Sequence, residues 1–278
     1  NARSGHYGLV TGGSNNYNLI WSPTFPSIHT IEFEEMCTLE KRGNIFLLTL
    51  TGTDDHRLHP NLIDSISAAL RRVRSESTSS SSALITTAQG KFFSNGYDLK
   101  WALADNARQI LMSRKLRCLV SDLITLPIPT IAVVNGHASG AGFAFALCHD
   151  YLLMRKDRGF LYMSELDIGY PLPIWFSALV KCKIGSPVVR REVVLKAAKV
   201  TAEMGVSMGI VDSAHDGAEE TLEAATKLGD ELASRNWDGK TYAACRKSLH
   251  LELVNALGSD ETVGDYGDED PNKALSKL

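Results

Sequence analysis

The sequence contains no Cys-x-x-Cys pair, and its five cysteines (Cys37, Cys118, Cys148, Cys182 and Cys245) are odd in number and widely spaced. That pattern argues against a disulfide framework or a zinc knuckle and points to reduced core residues. Charge of one sign is in short supply: 29 Lys+Arg oppose 32 Asp+Glu, for a formal charge of -3. The signs are interspersed, so no basic stripe is available to neutralise a phosphate backbone, and nucleic acid is not an expected partner. Long hydrophobic runs are missing too. The most apolar stretch, Cys118 to Leu153, is interrupted by Asp122, Pro127, Pro129, Asn135, His137, His149 and Asp150. It falls short of the about 20 continuous apolar residues that a membrane-spanning helix needs, so no membrane span is expected. What remains is a chain of 278 residues, 44% apolar and 22% charged, enough to bury a full core as one large domain or two modest ones.

Residues 1–35 show little periodicity, a Gly/Ser/Asn cluster at Gly12 to Asn16 and two prolines. They read as an added or upstream extension before a start at Met36; the alternative is an ordered arm. From Asn44 the pattern turns regular. Ile45 to Leu50 predicts a strand, and Pro60 to Val73 a helix with proline in its first turn. Ser75 to Ser82 is a solvated turn before a second strand at Ala83 to Thr87. A loop from Gly90 to Asp98 leads to a long helix, about Ala104 to Leu126, stopped by Pro127 and Pro129. Thr130 to Asn135 predicts a third strand, Gly136 to Gly142 opens an apolar helix ending near His149, and Tyr151 to Met154 resumes extended structure. Helical patterns fill the remainder from Trp175, notably Ala218 to Arg235 and Gly239 to Leu257. The fold class expected is therefore α/β, in a strand, strand, helix rhythm with a C-terminal helical region. The core should span 36–216 and the helical region 217–258, followed by a polar tail at 259–278.

Several familiar site patterns fail when spelled out. Gly140-Ala-Gly142 supplies two glycines of a dinucleotide fingerprint, but Phe145 stands at the third, which disfavours NAD. In Gly136-His-Ala-Ser139-Gly140 the serine comes one place too late for a nucleophile elbow. His56 and His59 lie three apart without a third ligand nearby and read as a surface loop.

Two loops stand out, because each puts flexible backbone directly after a strand, where amide N–H groups can face a ligand. In the first, Gly90-Lys-Phe-Phe-Ser94-Asn95-Gly96-Tyr97-Asp98-Leu99, Gly96 permits a tight turn that aims the Tyr97 N–H inward, and Asp98 suits the cap of the following helical turn. In the second, Asn135 to Gly142, Gly140 and Gly142 bracket Ala141 at the mouth of a helix. Each loop alone reads more readily as an ordinary strand-to-helix turn. As a pair, two such amides can form an oxyanion hole, in which loss of one donor costs on the order of 3 kcal/mol.

Taken together, Gly90 to Leu99, Pro129 to Gly142 with His149-Asp150, and Ala202 to Asp212 resemble the crotonase (enoyl-CoA hydratase/isomerase) superfamily over about Met36 to Asp216. The resemblance implies a crotonase-like spiral of ββα units whose C-terminal helices assemble trimers or pairs of trimers. It also implies oxyanion-hole amides at Tyr97 and Ala141, and an acyl-CoA site lined by Ser94, Asn95, Gly96, Tyr97, Asp98, Leu99, Gly140 and Ala141.

The acid/base residues decide which reaction such a scaffold runs. Hydratases of the superfamily hold their water between two carboxylates; here the first position is Ala144, while Glu165 in Tyr162-Met-Ser-Glu165-Leu-Asp-Ile-Gly169 occupies the second. One carboxylate shuttles a proton more readily than it orients a water. The pattern therefore resembles the Δ3,Δ2-enoyl-CoA isomerases, in which one base takes a proton from C2 and returns it at C4, with CoA entering as part of an unsaturated fatty acyl-CoA substrate and no cofactor or metal. Leu166, Ile168, Pro171, Pro173 and Trp175 would wall the base and raise its pKa. Asp167, two residues on, should not share its face. Glu165 also reads as a helix N-terminal carboxylate after Ser164. Another crotonase reaction (weak hydratase or thioester hydrolase) and a non-catalytic acyl-CoA-binding subunit remain open alternatives. Finally, Ser276-Lys277-Leu278 matches the address read by the peroxisomal import receptor, so the peroxisome is the expected location.

Overall fold

The computed structural model describes residues 36–53, 55–77 and 81–258; the extension at 1–35 and the tail with Ser276, Lys277 and Leu278 lie outside them. The chain opens with β1 (Cys37–Arg42) and β2 (Ile45–Leu50), an antiparallel hairpin closed by Gly43 at φ 59°. Helix α1 (Pro60–Glu76) follows, with His59 as its cap through a ring nitrogen that accepts the Asn61 N–H. Then come β3 (Ala83–Ala88), β4 (Phe92–Ser94), α2 (Leu99–Ala102), α3 (Asn106–Ile124), β5 (Thr130–Val134), β6 (His137–Ser139), α4 (Ala141–Leu147), β7 (Tyr151–Arg155), β8 (Leu161–Tyr162) and α5 (Glu165–Ile168). The C-terminal part contains α6 (Ile174–Lys183), α7 (Pro187–Arg190) running into a π-helical turn (Arg191–Leu195), α8 (Ala202–Ser207), β9 (Ser213–His215), α9 (Ala218–Ser234), α10 (Gly239–Leu249) and α11 (Leu251–Leu257).

The long strands form one sheet in the order β1-β2-β3-β5-β7-β9, parallel apart from β1, and the short strands form a second, parallel sheet in the order β4-β6-β8. Each of β3, β5 and β7 is thus followed by a short strand in the other sheet and then by a helix, which is the strand, strand, helix rhythm of the sequence repeated three times. The short strands went unrecognised as separate elements because two or three residues are too few to show a period.

Both faces of the large sheet are covered, which is why its strands are continuously apolar instead of alternating. Phe46, Leu48 and Leu50 face the cluster with α1 and α3, while Ile45, Leu47, Ile85, Ile131 and Leu153 pack under α9 through Ala225 and Leu232. Two expectations need correction. The helix predicted over Gly239 to Leu257 is broken at His250 (φ -111°, ψ 34°) into α10 and α11. The helical remainder also contains a strand, β9, which extends the large sheet beside β7. No helix among the described residues is long and apolar enough to cross a membrane.

Candidate active site

Parallel strands end on one side of their sheet, and the loops leaving those ends face a common space. In the small sheet the three departures are Asn95 to Asp98 after β4, Gly140 after β6, and Met163-Ser164 after β8. The sequence therefore delivers Tyr97, Ala141 and Glu165 to one place by using the same connection three times. The approach is close. A Cβ on Gly96 would lie 2.6 Å from the Ser139 carbonyl oxygen and 3.1 Å from the Ala141 nitrogen; a Cβ on Gly140 would lie 3.1 Å from Glu165 Oε1. Gly96 (φ 73°) and Gly140 (φ 51°) are also in the left-handed region, so glycine serves both conformation and contact there. The loops are pinned from outside by Asn95 N–H to Asp55 O at 2.8 Å, Leu58 N–H to Gly96 O at 2.7 Å and Gly140 N–H to Tyr162 O at 2.8 Å. The N–H groups of Tyr97 and Ala141 have no acceptor among the described residues' hydrogen bonds.

A cavity of about 260 Å³ opens between the loops, with Asn95, Gly96, Tyr97, Leu99, Gly140, Ala141 and Glu165 in its lining. Ser94 and Asp98, expected in the same wall, are not part of it. The Ser94 hydroxyl instead donates to the His56 carbonyl oxygen at 2.8 Å and accepts the Gly96 N–H at 3.3 Å. The Asp98 carboxylate accepts the Trp101 N–H at 3.2 Å and caps α2. Both hold the loop's shape from behind.

Glu165 Oε2 is buried without a hydrogen-bond partner, and burial pushes the carboxyl up to about 7. Ser164 makes no side-chain cap bond to α5, while Glu165 stands in that helix's first turn, where its carboxylate accepts its own backbone N–H. The wall differs from the expectation in its members. Ile168 and Pro173 line the cavity, together with Phe176 and Tyr170, whereas Leu166 and Pro171 are exposed and Trp175 is packed in the core. Asp167 reaches the lining, but its carboxylate accepts the Tyr162 hydroxyl. Ala144 is fully buried. Glu165 and Asp167 are the carboxylates of this cavity among the described residues.

Sequence reasoning missed Arg57, Ser139, Tyr162, Tyr170 and Phe176 as lining residues. Arg57 sits between the two histidines taken for a surface loop; His56 is in fact buried, its Nε2 2.8 Å from the Gln89 carbonyl oxygen. Arg57 meets Asp55 at 3.2 Å and donates to the Tyr97 carbonyl oxygen at 3.4 Å. No cluster of three potential metal ligands exists among the described residues.

The model of the family described as enoyl-CoA hydratase/isomerase matches residues 40–263. The chain belongs to the enoyl-CoA hydratase/isomerase family. Within it, the chain is 56% identical over 228 residues to an Arabidopsis thaliana protein called enoyl-CoA delta isomerase 1, peroxisomal, covering 82% of this chain and 95% of that one. It is 50% identical over 235 residues to enoyl-CoA delta isomerase 2, peroxisomal, of the same plant, covering 82% and 98% respectively. Among solved structures of the family, an enoyl-CoA hydratase from Bacillus halodurans superposes with TM-score 0.75 at 21% identity, over 87% of this chain and 100% of that one. An apo enoyl-CoA isomerase from Mtb gives TM-score 0.75 at 19% identity, over 84% and 99%. These likenesses establish the crotonase fold for the chain.

Proposed function

We propose that this family member is a Δ3,Δ2-enoyl-CoA isomerase of the peroxisome. It moves a 3-cis or 3-trans double bond of an unsaturated fatty acyl-CoA to the 2-trans position. The isomerase relatives at 50% and 56% identity support this directly. The observation that carries the mechanism is the Glu165 carboxylate, its Oε2 buried without a partner and its Oε1 against Gly140, beside two free amides.

In this reading the thioester oxygen lies between the Tyr97 and Ala141 N–H groups, and its charge grows as the C2 proton leaves. Glu165 takes that proton and returns it at C4, while the electron pair of the C2–H bond becomes the new C2–C3 double bond. The old C3–C4 pair takes up the proton. The reaction is redox-neutral and one carboxylate performs both transfers, so the proposal includes no metal or redox group, and CoA enters with the substrate. Hydration would need a second carboxylate to steer water; Ala144 removes one, and Asp167 is engaged by Tyr162. The proposal extends to an oligomer, a trimer or pair of trimers, and to contact of Ser276, Lys277 and Leu278 with the import receptor.

The test is a spectrophotometric assay with 3-hexenoyl-CoA. Glu165→Gln should lower turnover by about 10²- to 10⁴-fold, the range for a lost general base. Wild-type turnover by that variant removes Glu165 as the base. A non-catalytic subunit would bind acyl-CoA yet show no Glu165-dependent deuterium exchange at C2.

A further inference from the structure

The cavity lining falls into two groups. Arg57 and Asn95 are polar and belong to the loops tied to Asp55, whereas Ile168, Tyr170, Pro173 and Phe176 follow Glu165 in the chain. An isomerase base must reach both C2 and C4, so the acyl chain beyond C4 runs on past the turn that bears Glu165. The lining side chains that come next after Glu165 are Asp167, whose carboxylate is engaged by the Tyr162 hydroxyl, and then Ile168 and Tyr170.

Tyr170 is tied at both ends. Its N–H donates to the Glu165 carbonyl oxygen at 2.8 Å, after Gly169 in the left-handed conformation (φ 72°) has reversed the chain. Its hydroxyl accepts from Gln109 Nε2 at 3.3 Å, a side-chain bond to α3 across 61 positions of sequence. Ile110, which follows Gln109 on α3, is 40% exposed, and Leu166, which follows Glu165, is 54% exposed.

We infer that the Tyr170–Gln109 hydrogen bond is a strap across the acyl end of the cavity and sets preference for acyl-chain length. Short chains end inside it. Long chains part it and emerge over the apolar side chains of Ile110 and Leu166. The inference rests on the isomerase reading and adds to it the residues that choose among substrates. Tyr170 and Gln109 act here on specificity and take no part in proton transfer.

Two variants test it, Gln109→Ala, at a half-exposed helix position, and Tyr170→Phe, which keeps the ring and removes only the hydroxyl. One neutral hydrogen bond corresponds to about a three- to tenfold change. The ratio of kcat/KM for 3-hexadecenoyl-CoA to that for 3-hexenoyl-CoA should rise by this factor in both variants, with the pH profile unmoved. Calorimetric binding of hexadecanoyl-CoA against hexanoyl-CoA, which cannot be isomerised, should shift in the same ratio. Active variants with an unchanged ratio overturn the strap. A wild-type protein that binds both saturated esters but isomerises neither enoyl ester overturns the isomerase reading instead, and the binding ratio still decides the strap.

Discussion

Glu165 has its carboxyl held at about 7 by burial, against an ordinary value of 4.5. In its proposed role as base, Glu165 must be ionised to accept the C2 proton, so kcat/KM should rise with pH through about 7 and level off above it; a rate flat between pH 5 and pH 8 excludes this residue as the titrating group. The same burial acts on stability with a definite sign. A carboxyl whose folded pKa is raised binds its proton more tightly in the native state, so its contribution is fully present below 4.5 and is lost as pH rises through about 7. The ionised form then costs about 3 kcal/mol. Glu165→Gln should therefore melt at a higher temperature than the wild type above pH 7, an advantage that disappears in acid. Calorimetry at several pH values checks this. A gain in stability confined to pH values where the wild-type carboxylate is charged is what a carboxyl raised by burial predicts.

Elements, more than individual side chains, place the amides. Helix α4 begins where β6 stops, and Gly142 in its first turn lies so close to β4 that a Cβ there would stand 2.2 Å from the Ser94 carbonyl oxygen and 2.8 Å from the Ser94 Cβ. Neither atom belongs to a flexible side-chain end, so the helix itself must yield. Gly142→Ala should destabilise the protein by roughly 1–3 kcal/mol, as overpacking does. It should also lower kcat/KM, since moving α4 carries the Ala141 N–H away from that of Tyr97; urea unfolding and the isomerase assay read the two effects. The glycine spacing of both loops was legible in the sequence because a missing side chain is visible residue by residue. Ser94 and Asp98 were legible as loop residues but not as its outside, since the direction of a side chain in irregular backbone depends on dihedral angles that no periodicity reports. Tyr170 and Phe176 joined the lining for a related reason: the left-handed Gly169 and the prolines at 171 and 173 turn the chain back on itself.

At the scale of the whole molecule, the C-terminal helices fasten the core through one buried cation. The Arg246 guanidinium on α10 pairs with Asp150 and donates to the carbonyl oxygens of Leu126 at 2.9 Å and Ile128 at 2.7 Å, just ahead of β5. Asp150 in turn accepts the Thr130 N–H at 2.9 Å and the Tyr242 hydroxyl at 3.2 Å. Removing the cation leaves a mostly buried carboxylate and several carbonyls without their donor. Arg246→Ala should thus cost about 3–5 kcal/mol in urea unfolding, while the fraction that remains folded keeps its kcat, because no group of the clasp lines the cavity. A fall in kcat at full folding would show that the clasp reaches the site.

The sequence by itself determined the class of this molecule: an α/β core, two glycine-gapped loops at strand ends, and a glutamate at the start of the segment that follows them. Those features are local, and local backbone chemistry is written directly in residue type and spacing. Only the tertiary structure decided that the three loops share one cavity, that Asp167 is engaged by Tyr162 while Glu165 Oε2 stays without a partner, and which apolar side chains surround that carboxylate. Burial is a property of what packs against a residue from elsewhere in the chain, and the cavity that holds Glu165 is lined by residues from as far back in the chain as Arg57.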